Sequence, residues 1–279
     1  MIRPRRALVT GVSRRRGIGF AIVRRLLEDG ASVFAQSWTQ HDATQPWGAD
    51  PVGIDGVLAE LGGVGDRLAH AEYDLERPQA PAELVAEATR RFDGVDTLVV
   101  NHARSSLGRL DELDADELDR CWAVNVRATL LLVKAFAEQF TGSEGRVVLF
   151  TSGQHLGPMA DEIPYAVSKG ALHQLTLTLS EALADRGVTV NTVNPGPTDT
   201  GWSGPELADL VGRSMPKGRW NTPDEAAGVV AMLLGADAAP ITGRVIDAEA
   251  GFRRWPLMAD VPNRAEGTPT RADGSAGSS

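Results

Sequence analysis

Short β-branched runs alternate with helical patterns along most of this 279-residue chain, and that alternation restricts its fold more than any other feature. Ala7-Leu8-Val9-Thr10 reads as a strand, Ile18 to Glu28 as a helix and Ala31 to Ala35 as the next strand. A strand within Arg67 to Leu75, a helix near Ala82 to Phe92 and a strand at Thr97 to Val100 follow. Then come a helix from about Asp114 to Phe140, a strand at Arg146 to Phe150 and a helix carrying Tyr165. A strand at Thr189 to Val193, a helix from Pro223 to Leu234 and a strand at Arg244 to Asp247 complete the series. Strands separated by helices pair in parallel through right-handed crossovers, with helices on both faces. The expected fold class is α/β, a single-domain doubly wound parallel sheet, whose ligands bind beyond the carboxyl ends of the strands. Reactive residues belong just after strands.

From about Ala259 the chain is rich in Gly, Ser, Thr, Pro and Ala with almost no large apolar groups. The domain is therefore assigned to residues 1–256, and residues 257–279 to a disordered tail. A net charge of −9 lacks the basic footprint of a nucleic-acid or anionic-membrane partner. The single cysteine, Cys121, excludes an intramolecular disulfide and a cysteine-based metal cluster, and no metal is expected. No apolar run reaches the ~18 residues of a membrane span. The basic start runs into a strand and a glycine turn rather than a signal-peptide apolar region, which makes a cytoplasmic location the default.

Two motifs carry chemistry. The first strand ends in Thr10-Gly11-Val12-Ser13-Arg14-Arg15-Arg16-Gly17-Ile18-Gly19, and a helix opens behind it. Glycines let backbone turn sharply and approach a pyrophosphate, and a helix N-terminus favours negative charge; the alternative is a tight turn with no ligand. Tyr165 and Lys169 stand four residues apart in a chain with only two tyrosines and three lysines. Residues at that spacing share a helix face. Either they form an exposed pair, or the lysine favours the phenolate and brings the tyrosine into range of proton transfer with an alcohol oxygen.

With these pieces in place the chain resembles the classical short-chain dehydrogenase/reductase family, with its Rossmann fold, over about residues 5 to 254. Asn101-His102-Ala103 stands where the family has Asn-Asn-Ala-Gly, and Asn125 stands at the family's helix asparagine. Ser152 lies thirteen residues before Tyr165, as the family's catalytic serine does, and Asn194-Pro195-Gly196-Pro197-Thr198-Asp199-Thr200 resembles its nicotinamide-side turn. The resemblance implies hydride transfer between a nicotinamide cofactor and a carbonyl or secondary alcohol, with Tyr165 as general acid/base and Ser152 holding the substrate oxygen. It gives Lys169 the nicotinamide ribose and Asn125 a water that relays protons to Lys169. It also implies cofactor contacts from Gly11, Ser13, Gly17, Ile18, Gly19, Trp38, Asp74, Leu75, Asn101, Ala103, Tyr165, Lys169, Pro195, Gly196, Thr198 and Thr200, and a homodimer or homotetramer with Val245 to Ala248 and Phe252 at an interface.

The glycine turn has five residues between Gly11 and Gly17 where the pattern has three, and Ser37 takes the place of the acid that NAD-preferring members hold there. A neutral residue beside Arg14, Arg15 and Arg16 suits a 2′-phosphate, so NADP(H) is favoured over NAD(H), with Asp42 as a residue able to fold back as the missing acid. Arg104 replaces a small residue, and the connection from Trp38 to Asp66 is long, wrapping either the adenosine or a neighbouring subunit. Gln154, His155, Met159 and Trp202 are the substrate-side candidates, and residues 201–215 form an amphipathic stretch suited to a lid. The leading reading is a reductase of a ketone with an apolar body, with a 3-oxoacyl thioester among the candidates. Its alternatives are an imine reductase or alcohol dehydrogenase of specialised metabolism, and, from another class, a non-catalytic dinucleotide-binding sensor.

Overall fold

The computed structural model describes residues 5–254; the tail expected at 257–279 lies outside the described residues. The strands are β1 (Arg6–Val9), β2 (Ser32–Ser37), β3 (Leu68–Glu72), β4 (Thr97–Val100), β5 (Gly145–Phe150), β6 (Val188–Asn194) and β7 (Val245–Asp247). They form one sheet in the order β3-β2-β1-β4-β5-β6-β7, parallel throughout. The order reverses between β1 and β4, the position where such a sheet opens a crevice at its carboxyl rim.

Successive side chains on a strand point to opposite faces, and here both faces are apolar. Ala7 and Val9 of β1 and Val148 and Phe150 of β5 enter one core with α1 (Ile18–Glu28) and α9 (Pro223–Leu234). Leu8, Val147 and Leu149 enter the other, against α4 (Ala80–Phe92) and α6 (Ala128–Gln139). Burial on both sides is why these strands read as continuous apolar runs.

Three helices exceed the expected pattern. The connection after Trp38 contains α2 (Thr39–Thr44) and α3 (Gly53–Glu60), and the stretch after residue 201 contains α8 (Pro205–Ser214). Helix α2 is short and almost wholly polar, and α3 holds two glycines, so neither shows an apolar stripe of useful length. The helix expected from Asp114 to Phe140 is divided into α5 (Ala115–Trp122) and α6 by one π turn over Ala123–Arg127. The helix carrying Tyr165 is α7 (Ile163–Leu183). No helix among the described residues is long and apolar enough to cross a membrane.

Candidate active site

The first strand runs into a turn in which Gly11 sits at φ +76°, a conformation that favours glycine. A Cβ there would press on the His102 backbone, and one at Gly19 would overlap the Gly11 carbonyl and lie 2.8 Å from Asn101 Nδ2. The glycines thus let helix α1 butt against the ends of β1 and β4. Gln36, on β2, pins the turn: its Oε1 accepts from Gly11 N–H at 3.0 Å, and its Nε2 donates to the Tyr73 carbonyl at 2.8 Å. Helix α1 starts at Gly17 with no side-chain cap and no acid in its first turn. Its free N–H groups face a cavity walled by Gly11, Ser13, Arg14, Gly17 and Ile18, so its positive end is left for an anion. Gly19→Ala is expected to weaken dinucleotide binding at least tenfold, because overpacking moves this turn; titration of NADPH by fluorescence reads the loss.

That cavity has a volume of about 1130 Å³ and runs from Trp38, Asp42 and Trp47, beyond the end of β2, to Ser152, Tyr165 and Trp202. It is large enough for a dinucleotide with a substrate beside it. Gly11, Ser13, Arg14, Gly17, Ile18, Trp38, Asp74, Leu75, Asn101, Ala103, Pro195, Gly196, Thr198 and Thr200 line it, together with Met159 and Trp202.

Ser152 follows β5, and Tyr165 lies in the first turn of α7. Burial, reinforced by the Glu162 charge, pushes the phenol pKa well above its usual value, against the opposing influence of the nearby Ser152 side chain. Lys169 is 2% exposed, and its Nζ donates to the Phe150 carbonyl at 2.9 Å while standing 5.6 Å from the Tyr165 ring centre. Burial pushes its pKa down to about 8. The expected depression of the phenol by Lys169 is therefore absent from this arrangement. Desolvation dominates and drives both groups toward neutrality.

Asn125 sits in the π turn, where its amide is fully engaged. Oδ1 accepts from Arg104 N–H at 2.7 Å, and Nδ2 donates to the Arg104 carbonyl at 3.0 Å and to Ser168 Oγ at 2.9 Å. Expected as the anchor of a water beside Lys169, it is here a clamp between the segment after β4 and helix α7. The π turn also aims the Val124 carbonyl at His102, whose Nε2 lies 2.9 Å away, with Nδ1 2.8 Å from Thr10 Oγ1. Burial lowers the His102 pKa to about 4, so the ring is neutral, and these partners assign its proton to Nε2.

Several expected residues lie elsewhere. Arg15 is bound by Asp50, its NH2 3.0 Å from Oδ1, and by Glu60, while Arg16 pairs with Asp199 at 2.9 Å. Neither lines the cavity, because carboxylates distant in sequence hold both side chains away; only Arg14 does. Arg14 itself meets Asp42 at 3.1 Å and the Thr200 carbonyl at 3.0 Å. Ser37 is fully buried, its hydroxyl 2.8 Å from His70 Nε2, which leaves Gln36 and Trp38 as the cavity residues of that strand end.

Gln154 turns back to Thr151 Oγ1 and the Ser152 N–H, and His155 pairs with Asp247 at 3.0 Å. Neither lines the cavity, so the expected substrate contacts from Gln154 and His155 are not formed by this arrangement. Gly19 and Lys169 stand behind the lining rather than in it. Arg104 lines the cavity and forms a two-point pair with Glu117, at 2.9 and 2.7 Å. Phe252 lines the cavity and packs on Val211, Met215 and Trp220. Trp47, within the long connection expected to wrap either the adenosine or a neighbouring subunit, lines the cavity, and so do Gln36, Glu162 and Arg254, to which the sequence assigns no site role. A polar residue inside an apolar strand was the one available signal, and it was Gln36.

A family profile described as Enoyl-(Acyl carrier protein) reductase matches residues 11–253. The uncharacterized oxidoreductase YjdA of Bacillus subtilis is 37% identical over 251 residues, covering 89% of this chain and 96% of the relative. Dehydrogenase/reductase SDR family member 4 of Bos taurus is 34% identical over 242 residues, covering 84% and 83%. Among solved structures, a short chain dehydrogenase from Burkholderia cenocepacia in complex with NADP superposes with a TM-score of 0.78 at 33% identity, covering 89% of this chain and 97% of that one.

Proposed function

The chain is an NAD(P)-dependent enzyme of the short-chain dehydrogenase/reductase family, and from that premise we propose that it is an NADP(H)-dependent ketoreductase with Tyr165 as general acid. The observation that carries this reading is that Ser152 and Tyr165 open onto the same cavity as the uncapped α1 terminus.

The bound cofactor supplies the hydride. Tyr165 donates the phenolic proton to the carbonyl oxygen, a role suited to a phenol held neutral by burial. Ser152 donates a second hydrogen bond to that oxygen and fixes its position, and the Gln154 side chain, bonded to Ser152 N–H, holds the serine backbone in turn. Lys169, near half-protonation at about pH 8, is poised to return a proton to the tyrosine side. Asn125 positions α7 through Ser168, and His102 locks the strand ends on which the substrate carbonyl and the cofactor meet. The uncapped α1 terminus and the glycine turn fit a pyrophosphate.

Support for NADP(H) comes from Arg14, the guanidinium that lines the adenosine side, and from the Burkholderia relative's complex with NADP. Asp42 competes for the same guanidinium, and Trp47 holds that carboxylate through Nε1 at 3.1 Å. Asp42→Asn is therefore expected to raise the NADPH:NADH ratio of kcat/KM about tenfold, and Arg14→Ala to lower it by a similar factor. Equal efficiency of the parent with both cofactors would remove the NADP(H) assignment. Residues 1–256 act in this reading as one catalytic unit, which holds the glycine turn together with Ser152, Tyr165 and Lys169.

Screening the purified protein for NADPH oxidation with ketones, 3-oxoacyl thioesters and cyclic imines tests the reaction class. Turnover of ketones supports the reading. Cofactor binding without turnover of any of them supports a sensor.

A further inference from the structure

Three carboxylates line the substrate side of the cavity: Asp161, Glu162 and Glu249. Asp161 pairs with Arg109 at 3.0 Å, and Glu249 forms a two-point pair with Arg254 and accepts from Asn194 Nδ2 at 2.8 Å. Glu162 is different. The residue lines the cavity, and its side chain makes no ion pair with any described residue. It is also the residue immediately before α7, so it stands one helical turn from Tyr165. The cationic groups on that wall are already committed, Arg254 to Glu249, which leaves a local excess of negative charge beside the phenol.

We propose that Glu162 selects the substrate by pairing with a protonated amine, so that the preferred substrate is an amino ketone whose ammonium lies a few bonds from the reacting carbonyl. The inference rests on the ketoreductase reading and narrows it to a charge class. The surroundings agree with a carboxylate awaiting a partner. Burial pushes the Glu162 carboxyl pKa up, with the Asp161 charge adding to the effect, and an incoming ammonium reverses both penalties. Leu107, Pro158 and Met159 supply apolar wall around it, which strengthens a pair formed there relative to one in water. An anionic substrate meets unrelieved repulsion at the same place, so the site discriminates by rejection as well as by attraction.

The test uses four phenyl ketones sharing one carbon skeleton and ending in methyl, hydroxyl, primary ammonium or carboxylate. With the parent enzyme and NADPH, kcat/KM is expected to be at least about tenfold higher for the ammonium than for the methyl ketone, and lowest for the carboxylate. Glu162→Gln should bring the ammonium:methyl ratio close to one, and Glu162→Lys should favour the carboxylate. An unchanged ratio in Glu162→Gln, or a hydroxyl ketone preferred to the ammonium ketone by the parent, overturns the proposal. The ratio is insensitive to a general loss of folding or of proton transfer, which lowers all four together.

If none of the four is reduced, the charge assignment is judged on binding, and the ketoreductase reading on the wider panel of ketones and 3-oxoacyl thioesters. The same compounds are titrated into the NADP(H)-loaded Tyr165→Phe protein, with Trp202 and Trp220 of the cavity wall as fluorescence reporters. Glu162-dependent preference for the ammonium compound upholds the assignment, and binding indifferent to Glu162→Gln overturns it.

Discussion

Tyr165→Phe lowers kcat for ketone reduction by roughly 10²–10⁴ and leaves the affinity for NADP(H) nearly unchanged. The size follows from the removal of the one neutral acid aimed at the substrate oxygen. The retained affinity follows from what the substitution spares. The aromatic ring keeps its place in the first turn of α7, and the groups facing the pyrophosphate, at Gly11, Gly17 and Ile18, belong to a different part of the chain. The loss should appear equally in kcat and kcat/KM, since the proton moves only in the transition state. Rapid-mixing measurements of NADPH absorbance together with a fluorescence titration separate the two quantities. Loss of cofactor binding in step with turnover would assign the tyrosine a structural role.

Lys169→Met is expected to abolish useful turnover, at about 10²-fold or more, without the loss of stability that truncation of a buried residue usually brings. The ammonium is buried at 2% exposure, and its folded-state pKa is about 8 against a reference of 10.5. A depressed lysine pKa means that the unfolded chain binds more protons between about pH 8 and pH 10.5, so this group makes the parent more stable as pH rises through that window. Below it, the buried charge costs roughly 3 kcal/mol, the equivalent of the 2.5-unit difference between 10.5 and 8. Methionine removes that cost but leaves the Phe150 carbonyl without its donor, a penalty of ~1–3 kcal/mol. The two terms nearly cancel at pH 7. Urea unfolding at pH 7 and pH 10 checks this: the variant should match the parent at pH 7 and lack the parent's gain at pH 10. A variant that keeps that gain would show that Lys169 is not the group responsible.

The doubly wound sheet was legible because its central strands are buried on both sides, which forces apolar runs such as Leu98-Val99-Val100 that short solvated strands do not show. The Ser152, Tyr165 and Lys169 cluster was legible because one strand end and one helix turn hold all three, so spacing along the chain stands in for distance. Residues whose role depends on remote partners were not legible. Arg15 and Arg16 looked like phosphate ligands until Asp50 and Asp199 were brought against them by the connection between α2 and α3 and by the turn after β6. The clamp made by Asn125 was not legible because no pattern in sequence announces a π turn, and it is that turn which directs its amide at Arg104. Glu162 gave no signal at all, since an acid in a loop is ordinary until every neighbouring acid proves to be paired.

Reduction of a ketone with NADPH carrying deuterium at both C4 positions, followed by mass spectrometry of the alcohol, tests most directly whether the cavity brings a carbonyl carbon against a bound nicotinamide under the Tyr165 phenol. The account predicts one deuterium, on the carbinol carbon, in the product of the parent enzyme and almost none formed by Tyr165→Phe. An alcohol without deuterium at that carbon, or no alcohol from any ketone or 3-oxoacyl thioester offered to a protein that binds NADPH, would contradict it.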